Sequence, residues 1–377
     1  MEKVVSLAKR RGFIFPGSEI YGGLANSWDY GPLGVELKNN IMQLWWKRFA
    51  QSRDDMVGID AALIMKPEVW KASGHLKNFS DPLVECKKCH ERFRPDNTPG
   101  FSTILKNDGL REFMPSDKAT CPGCGGNKFA TAKEFSLMFK TFVGPAEEQA
   151  NVAYFRPEIA QAMFVNFKNV LDTTRRTLPF GIASQGKAFR NEITPGNFIF
   201  RTREFNLMEL EYFIHEMEWE QWFEYWRKEM RGWISEVGID TKKVREVDIP
   251  EGERAHYSKL TVDFEFEYPF GQKELYGLAY RTDFDLRNHF KEAPYKDPKS
   301  GAAFYPHVIE PTFGADRTVL AVLLSSYVEE GERVCLKLAP KLAPYKAAVF
   351  PLLANKPDLV KMASDIYDEL RRTFSVA

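Results

Sequence analysis

The stretch from Pro179 to Phe213 constrains the fold most, because it has the pattern of two long β-strands joined by a turn. The turn is predicted at Thr194-Pro195-Gly196-Asn197, four residues of types that interrupt strands. We therefore predict a long antiparallel hairpin. Side chains two residues apart on a strand share a face, so parity decides which charged residues of the hairpin can act together.

Further patterns predict the elements around this hairpin. Residues 261–268 alternate apolar with acidic residues, which is typical of a strand with one buried face. Residues 273–286 and 304–313 also have strand patterns. Residues 34–50 and 218–237 carry apolar residues at helical spacing. The predicted fold class is therefore α+β, an antiparallel sheet flanked by helices.

The chain is predicted to contain one large domain, residues 1–338. Within it, residues 80–135 are rich in Cys, Gly and Pro and poor in apolar runs, which suggests an inserted subdomain. Residues 214–260 are predicted to be a helical segment.

Residues 339–377 are predicted to be the start of a second, α/β domain. LAPYKAAVFPLL has the pattern of a buried strand, and KPDLVKMASDIYDELRR that of an amphipathic helix. These two elements are too few to close the sheet of such a domain.

The composition excludes several classes of protein. Lys plus Arg and Asp plus Glu both number 52, so the net charge is zero and no overall positive field favours nucleic acid. Contact with RNA would have to come from local patches, and DNA is not an expected partner. The N-terminus lacks the apolar core of a signal peptide, and no apolar run is long enough to cross a membrane. We expect a soluble, cytoplasmic protein.

Four of the five Cys form two C-x-x-C pairs, Cys86 with Cys89 and Cys121 with Cys124. In a reducing compartment this usage points to a metal site rather than to disulfides. Four thiolates suit a tetrahedral Zn²⁺ and leave no coordination position open for catalysis. A structural zinc is therefore predicted, and Cys335 is expected to be a small buried hydrophobe.

The charged residues of the hairpin suggest a site for a nucleoside triphosphate. Arg190 and Glu192 share parity on the first arm. The residues that share parity on the second arm are Arg201, Arg203, Phe205, Glu209 and Glu211. A guanidinium matches the oxygens of a phosphate, and an aromatic ring beside it can stack on a base. A surface hairpin with cross-strand Arg–Glu pairs has the same spacing, so the pattern leaves both hypotheses open.

A second cluster lies at residues 309–317, IEPTFGADR, where a strand ends and an apolar helix begins. Arg317, in the first helical turn, opposes the helix dipole, which suggests an external anion. Pairing of Arg317 with Asp316 or with a carboxylate of the sheet is the alternative. Glu274 and Glu310, on separate strands, are candidate ligands of a Mg²⁺ that would also bind substrate phosphates.

Three segments resemble the signature motifs of class II aminoacyl-tRNA synthetases. Phe189-Arg190-Asn191-Glu192 followed by residues 201–205 resembles the second motif. Gly314-Ala315-Asp316-Arg317 resembles the third. SWDYGPLG, residues 27–34, resembles the first, which forms the dimer.

Other segments are similar to the homodimeric glycyl members of this class. They are RPEIAQ at 156–161, RTDFDL at 281–286 and Glu310-Pro311. The resemblance covers nearly the whole chain and implies a homodimer that uses ATP with Mg²⁺ to activate glycine and then charges tRNA(Gly). It also implies that residues 339–377 begin an anticodon-binding domain.

The resemblance implies roles for single residues. Arg190 would bind the α-phosphate and Arg317 the γ-phosphate, and these two with Glu192 are the expected catalytic residues. The expected ATP-binding residues are Arg190, Asn191, Glu192, Phe200, Arg201, Phe205, Glu274, Leu275, Gly314, Asp316 and Arg317. The expected glycine-binding residues are Glu158, Phe205, Glu209, Arg281, Glu310, Thr312 and Arg94.

The glycine pocket follows from the same resemblance. Glu158, Glu209 and Glu310 would surround the ammonium of glycine, and Arg281 would orient the polar network. A filled pocket leaves no room for a β-carbon, and steric exclusion discriminates well against larger amino acids. Thr312 stands where the family usually has Ser.

Two other functions remain open on the sequence. A synthetase-like RNA-binding or regulatory protein could keep the fold without catalysis, although the residues expected for catalysis are all present. A synthetase for serine, threonine or proline would need a pocket without the three glutamates.

Overall fold

The structure is a computed structural model that describes residues 1–105, 111–193 and 195–377. Its α-helices are α1 (Glu2–Arg10), α2 (Pro32–Trp46), α3 (Pro67–Ala72), α4 (His75–Asn78), α5 (Ala160–Val165), α6 (Phe167–Thr174), α7 (Trp219–Glu236), α8 (Phe284–His289), α9 (Ala315–Ser326) and α10 (Pro357–Leu370). Within the described ranges, none of these helices has the length and apolarity that crossing a membrane requires.

The strands divide between a central sheet and several small ones. The strands before the hairpin are β1 (Ile14–Pro16), β2 (Trp28–Tyr30), β3 (Met56–Gly58), β4 (Ile64–Met65), β5 (Ser80–Glu85), β6 (Arg92–Phe93), β7 (Phe101–Leu105), β8 (Arg111–Pro115), β9 (Lys133–Ser136), β10 (Lys140–Phe142) and β11 (Val152–Phe155). The strands from the hairpin onward are β12 (Phe180–Phe189), β13 (Glu204–Ile214), β14 (Val244–Asp248), β15 (Leu260–Tyr268), β16 (Gly271–Thr282), β17 (Tyr295–Lys296), β18 (Ala303–Phe304), β19 (His307–Gly314), β20 (Tyr327–Glu330) and β21 (Arg333–Leu336).

The central sheet has seven strands in the order β14-β15-β16-β19-β13-β12-β3. Neighbours are antiparallel except β12 and β3, which run parallel. Helices α2, α7 and α9 pack on one face through Trp45, Trp233 and Leu320. Helices α5 and α6 belong to a second core cluster, in which Phe164 and Phe167 pack with Phe180 and Phe213 of the sheet. The predicted fold class, an antiparallel sheet flanked by helices, is confirmed.

The alternation at residues 261–268 has the predicted effect. Val262, Phe264 and Phe266 of β15 are fully buried, whereas Glu267 on the other parity is exposed. Helix α7 likewise buries the predicted stripe, including Trp226, because its apolar residues recur every three or four positions.

The predicted hairpin forms, but its ladder is shorter than the sequence suggested. β12 and β13 pair from Phe180 opposite Phe213 to Phe189 opposite Glu204. Residues 190–203 form a long connection; Thr194 of the predicted turn lies outside the described residues. Arg190, Arg201 and Arg203 belong to this connection, so the parity argument holds only from Glu204 onward. The cause is local, since Asn197 and Phe198 adopt left-handed backbone angles that no strand continues through.

Two other predicted boundaries move. The strand predicted at 273–286 ends at Thr282, where φ is 58°, and α8 begins two residues later. The segment predicted to be helical at 214–260 contains α7 but also the edge strand β14, which pairs with β15.

Residues 80–135 include strands β5 to β9, with residues 106–110 outside the description. β5 pairs with β9 at the base of this segment, from Ser80 opposite Ser136 to Leu83 opposite Lys133. A small core in this segment consists of Val84, Cys86, Phe93 and Cys121. We call residues 80–135 the Cys-cluster subdomain.

The buried strand predicted in LAPYKAAVFPLL is wrong. Among the described residues this segment makes one isolated bridge, Ala347 to Val376, and Phe350 and Leu352 are 80% and 87% exposed. An apolar run becomes a buried strand only where neighbouring strands and a second layer cover it, and in the described part of the chain only Leu342 and Pro344, at the start of this run, are buried. Helix α10 agrees with the predicted amphipathic helix, although none of its residues is buried.

Candidate active site

A cleft with about 820 Å³ of empty space, part of it open to solvent, lies between the 190–203 connection, β16, β19 and the start of α9. The residues expected to bind ATP that line it are Arg190, Glu192, Phe200, Arg201, Phe205, Glu274, Leu275, Gly314, Asp316 and Arg317. Glu209 and Thr312, expected to bind glycine, line it too. Asn191 does not; its backbone N–H donates to the Leu137 carbonyl, 2.8 Å away.

Arg317 is held at the cleft by the sheet and by the connection. Its guanidinium lies 4.5 Å from the ring centre of Phe200, and Nη1 is 3.0 Å from Oε2 of Glu274. The same nitrogen donates to the Glu274 carbonyl at 2.9 Å. The charge of Arg317 is the main cause that lowers the pKa of Glu274, with further contributions from Arg190 and Arg201. Three arginines therefore converge around one carboxylate.

Arg190 lies between the residues expected to bind ATP and those expected to bind glycine. Its Nε donates to the carbonyl of Pro157 at 3.0 Å, and its Cζ lies 5.3 Å from the ring centres of both Phe205 and Phe79. The two rings hold the guanidinium by cation–π contact. Arg203, which shares parity with Phe205, points elsewhere and donates to the Ala25 carbonyl at 3.0 Å.

The expected glycine residues meet on one face of the sheet because of its register. Glu209 is opposite Thr312, and Thr312 is opposite Gly277. The pairs Glu209–Thr312 and Tyr212–Ile309 place Glu211 opposite Glu310. Residues directly opposite on antiparallel strands have Cβ atoms about 5 Å apart. The register thereby brings Glu209, Glu211, Glu310 and Thr312 to a single patch.

Glu158 joins this patch from the segment before α5. Arg156 holds this segment in place. It is 1% exposed, and it donates from Nε to the Lys187 carbonyl at 2.8 Å and from Nη1 to the Ala61 carbonyl at 2.9 Å. Burial opposes ionisation of Glu158, but the charges of His75 and Arg281 hold the pKa of this carboxyl well below its ordinary value. It is therefore a carboxylate.

Glu209 is in a different electrostatic state. It is 3% exposed and accepts one hydrogen bond, from the backbone N–H of Ile159 at 3.2 Å. Burial, together with the charges of Glu310 and Glu158, raises the pKa of Glu209 to about 8. A carboxyl crowded by two others holds a proton until a cation arrives.

Arg281 supplies the cation of this buried cluster. It is fully buried, and it makes two bonds to Asp285, at 2.7 and 2.9 Å, and one to Glu310 at 2.8 Å. Its guanidinium also lies 3.7 Å from the ring centre of Tyr257. Arg281 thus fixes the orientation of Glu310, as its predicted place in the polar network requires.

A shared Mg²⁺ between Glu274 and Glu310 does not agree with the register. Ala279 is opposite Glu310, and Glu274 lies five residues further along β16, about 16 Å away. Glu274 has a different acidic neighbour, Asp263 of β15. One carboxylate oxygen of each lies 3.9 Å from the point that a Cβ atom would occupy at Gly277. Burial and the charge of Glu274 raise the pKa of Asp263 to about 7. Asp263 is therefore paired with a carboxylate that lines the cleft, Glu274, and two such oxygen ligands suit a hard cation.

Arg94 is not placed among the glycine residues. Its Nη1 donates to Asp81, and its Nε and Nη2 donate to Asp96 at 3.2 and 2.6 Å. The same charge network includes Glu192 at the cleft rim. The contacts therefore place Arg94 within the Cys-cluster subdomain, on the side nearer Glu192 of the cleft.

The four predicted thiols come together. The Sγ atoms of Cys86, Cys89, Cys121 and Cys124 all lie within 4.8 Å of one another. Cys86 and Cys124 are 3.7 Å apart, and Cys89 and Cys121 are 3.6 Å apart. These separations suit four ligands of one tetrahedral ion, because Zn–S bonds are about 2.3 Å long.

Several residues of the site were missed from sequence. His75 and Gln161 both bond to Glu158, and Tyr30 donates to Asp316. Asp285 had a usable signal, since it lies four residues after Arg281 in a segment already singled out. Tyr30 also lies in a segment singled out, residues 27–34, but its partner was not indicated. His75 had no signal, because Glu158 is far away in the chain.

The comparisons with known proteins agree with this geometry. The family model described as tRNA synthetase class II core domain (G, H, P, S and T) matches residues 140–327. The chain is 49% identical over 395 residues to the glycine–tRNA ligase of Alkaliphilus oremlandii (strain OhILAs), which covers 100% of this chain and 85% of that protein. The chain belongs to the glycine–tRNA ligase family. A second member, from Caldanaerobacter subterraneus subsp. tengcongensis, is 50% identical over 392 residues, covering 99% of this chain and 84% of that protein.

The fold also has a solved counterpart. A Giardia lamblia prolyl-tRNA synthetase, solved in complex with prolyl-adenylate, superposes with a TM-score of 0.65 at 13% identity, over 100% of this chain and 63% of that one. At this identity the likeness shows the class II synthetase fold and nothing about the substrate.

Proposed function

We propose that the chain is a glycine–tRNA ligase that joins glycine to the adenylyl group of ATP and then transfers it to the 3′ end of tRNA(Gly). The observation that carries the proposal is the buried meeting of Glu158, Glu209 and Glu310 beside a cleft lined by arginines. The family membership supports the same substrates.

The two halves of the site divide the substrates between them. The arginines of the cleft, Arg190 and Arg317 first, bind the triphosphate, and Phe205 offers its face to adenine. Glu158, Glu209 and Glu310 take the ammonium of glycine. Ionised carboxylates around a buried cation form strong charge-assisted hydrogen bonds.

The chemistry needs no side-chain nucleophile. A carboxylate oxygen of glycine attacks the α-phosphorus, the bond from that phosphorus to the bridging oxygen breaks, and pyrophosphate leaves. Arg190 would stabilise charge on the α-phosphate, and such preorganised donors are a major source of rate enhancement. A ribose hydroxyl of the tRNA then attacks the carbonyl carbon of the adenylate, and AMP leaves.

Selection for glycine rests on space and charge. Thr312 lies opposite Glu209 in the ladder and lines the cleft, so its side chain would narrow the space beside the glutamates. The pocket binds an amino acid through its ammonium and carboxylate and excludes larger ones by steric conflict.

The donor sets fit the two metals that the family implies. Asp263 and Glu274 supply oxygens, as Mg²⁺ prefers, and this ion would neutralise phosphate charge when ATP is bound. Cys86, Cys89, Cys121 and Cys124 would hold a structural Zn²⁺.

We also propose a cytoplasmic homodimer. Ile20, Tyr21 and Leu24 are 87%, 86% and 63% exposed in the loop before SWDYGPLG, and apolar side chains so exposed favour a second copy as partner. Residues 339–377 are proposed to belong to an anticodon-binding domain.

A charging assay with radiolabelled glycine and tRNA(Gly) tests the proposal. We expect glycyl-tRNA to accumulate with ATP and Mg²⁺, and Glu158→Gln to raise the glycine KM by at least tenfold at a similar ATP KM. Glutamine keeps the shape but removes the charge that binds the ammonium. A protein that binds tRNA but forms neither adenylate nor glycyl-tRNA would be the inactive synthetase-like alternative.

A further inference from the structure

His75 is a buried residue outside the predicted site that bonds directly to the glycine pocket. It is 5% exposed, and its Nε2 lies 3.1 Å from Oε2 of Glu158. Its other ring nitrogen lies 2.8 Å from Oγ of Ser73, while the second oxygen of Glu158 accepts from Gln161 at 3.1 Å. Neutral His75 with its proton on Nε2 and protonated His75 both donate to Glu158. The carboxylate is therefore held from two sides.

The residues that follow His75 contact the phosphate side of the cleft. Phe79 comes directly after α4, and its ring centre lies 5.3 Å from Cζ of Arg190. The carbonyl of Phe79 accepts from the backbone N–H of Leu137 at 3.2 Å, and the carbonyl of Leu137 accepts from Asn191 at 2.8 Å. Residues 75–79 thus contact Glu158 on the glycine side of the site and Arg190 on the phosphate side.

The same segment is the base of the Cys-cluster subdomain. Phe79 leads into β5, whose last residue, Glu85, precedes the first cysteine ligand, and Leu137 directly follows β9. The pairing of β5 with β9 closes the subdomain at Ser80 and Ser136. β5 thus connects the first cysteine ligand to Phe79, and only three residues separate Phe79 from His75.

We propose that His75 is a positioning residue that orients Glu158 for the ammonium of glycine, and that the Cys-cluster subdomain, closed by its metal, holds His75 and Phe79 in place. The proposal rests on the proposed function. It gives the subdomain a role in substrate binding, as the structural base of the glycine pocket.

The first test compares two variants in ATP–pyrophosphate exchange. His75→Ala removes the donor to Glu158, so we expect the glycine KM to rise roughly 10- to 100-fold, the range for a lost hydrogen bond to a charged group. The ATP KM should change less than about threefold. His75→Gln, whose amide N–H can donate where Nε2 does, should recover most of the loss. His90→Asn is the control, because His90 is an exposed residue of the Cys-cluster subdomain that pairs with Glu85 and not with Glu158.

A second test asks whether the subdomain acts through His75. Glycine binding is measured by calorimetry on zinc-loaded and chelated protein, for the wild type and for His75→Ala. We expect chelation to weaken binding to the wild type by at least tenfold and to add little to the loss in the variant. Equal weakening of both proteins would overturn the transmission through His75.

The outcomes separate this proposal from the proposed function. No exchange with glycine by the wild type would defeat the function itself. A wild type that is active, with a His75→Ala variant whose glycine KM is unchanged, or whose glycine and ATP KM rise equally without recovery in His75→Gln, would defeat only the positioning role. Melting curves identify any variant whose loss comes from unfolding, and the His75→Gln comparison then decides.

Discussion

Tyr30 donates a hydrogen bond to Oδ1 of Asp316, and Oδ2 of the same carboxylate accepts the backbone N–H of Asn206 at 2.5 Å. Asp316 precedes Arg317 in α9, and Asn206 follows Phe205 in β13. One buried carboxylate therefore joins the three segments that resemble the signature motifs. A tyrosine from the segment expected to form the dimer thus bonds to the residue directly before Arg317.

Tyr30→Phe should weaken ATP binding selectively. The change leaves Oδ1 of this buried carboxylate with only a long hydrogen bond, 3.5 Å from Nδ2 of Asn206, and a lost hydrogen bond to a charged group costs about 1.5–3 kcal/mol. We expect a lower melting temperature and an ATP KM raised roughly tenfold, with the glycine KM near that of the wild type. Tyr345→Phe is the control, since Tyr345 is 50% exposed and does not line the cleft. Unchanged ATP affinity in Tyr30→Phe would show that Asp316 does not need this donor.

Arg190→Ala and Arg317→Ala should each reduce glycyl-adenylate formation by two to three orders of magnitude. Each removes a donor from a partly desolvated phosphate site, on the scale of roughly 3–4 kcal/mol for lost transition-state contacts. Arg203→Ala serves as the control because Arg203 bonds to Ala25 outside the cleft. Pyrophosphate exchange measures all three. Near-normal exchange in either of the first two variants would contradict the phosphate assignment.

Glycine binding should release a proton below pH 8. The pKa of Glu209 is raised to about 8, so its carboxyl is protonated at pH 7 in the free protein. The ammonium of glycine favours the ionised form, so binding lowers this pKa and the proton leaves. The release should decline above pH 8, where Glu209 is already ionised. Calorimetry in buffers with different ionisation enthalpies measures it.

Glu209→Gln is the control for that measurement. The amide cannot ionise, so proton release at pH 7 should fall clearly below the wild-type value even where glycine still binds. Undiminished release in this variant would assign the proton to another group of the cluster.

The Cys-cluster subdomain should hold one zinc per chain. Cys86→Ser should lose most of the metal and lower the melting temperature, because three thiolates bind zinc more weakly than four. Cys335→Ser should keep the full equivalent, since Cys335 lies on β21 outside the cluster. Elemental analysis of the purified proteins decides. A wild type with well under one equivalent would contradict the zinc site.

Local pattern predicted much of the fold. The alternation in β15 and the apolar stripe of α7 predict a strand and a helix, because the buried residues of each element recur at the period of that element. The connection at 190–203 could not be predicted, since left-handed angles at Asn197 and Phe198 leave no mark in the hydrophobic pattern. The strand predicted in residues 342–353 was wrong because burial depends on neighbours that pattern does not reveal.

The site was predictable only in part for the same reason. The residues that line the cleft come from short segments with recognisable composition, and most of them meet as expected. Contacts across the chain, such as His75 with Glu158, follow from the packing of α4 against the segment before α5. The Mg²⁺ pair failed because strand register, not residue type, sets which carboxylates meet.

Pyrophosphate exchange across a panel of amino acids tests the central claim most directly. With ATP and Mg²⁺, the account predicts exchange with glycine and rates at least about 100-fold lower with alanine, serine, threonine and proline, because the pocket holds the ammonium and has no space for a β-carbon. Exchange with another amino acid at a rate similar to that with glycine, or no exchange with any of them by well-folded protein, would contradict it.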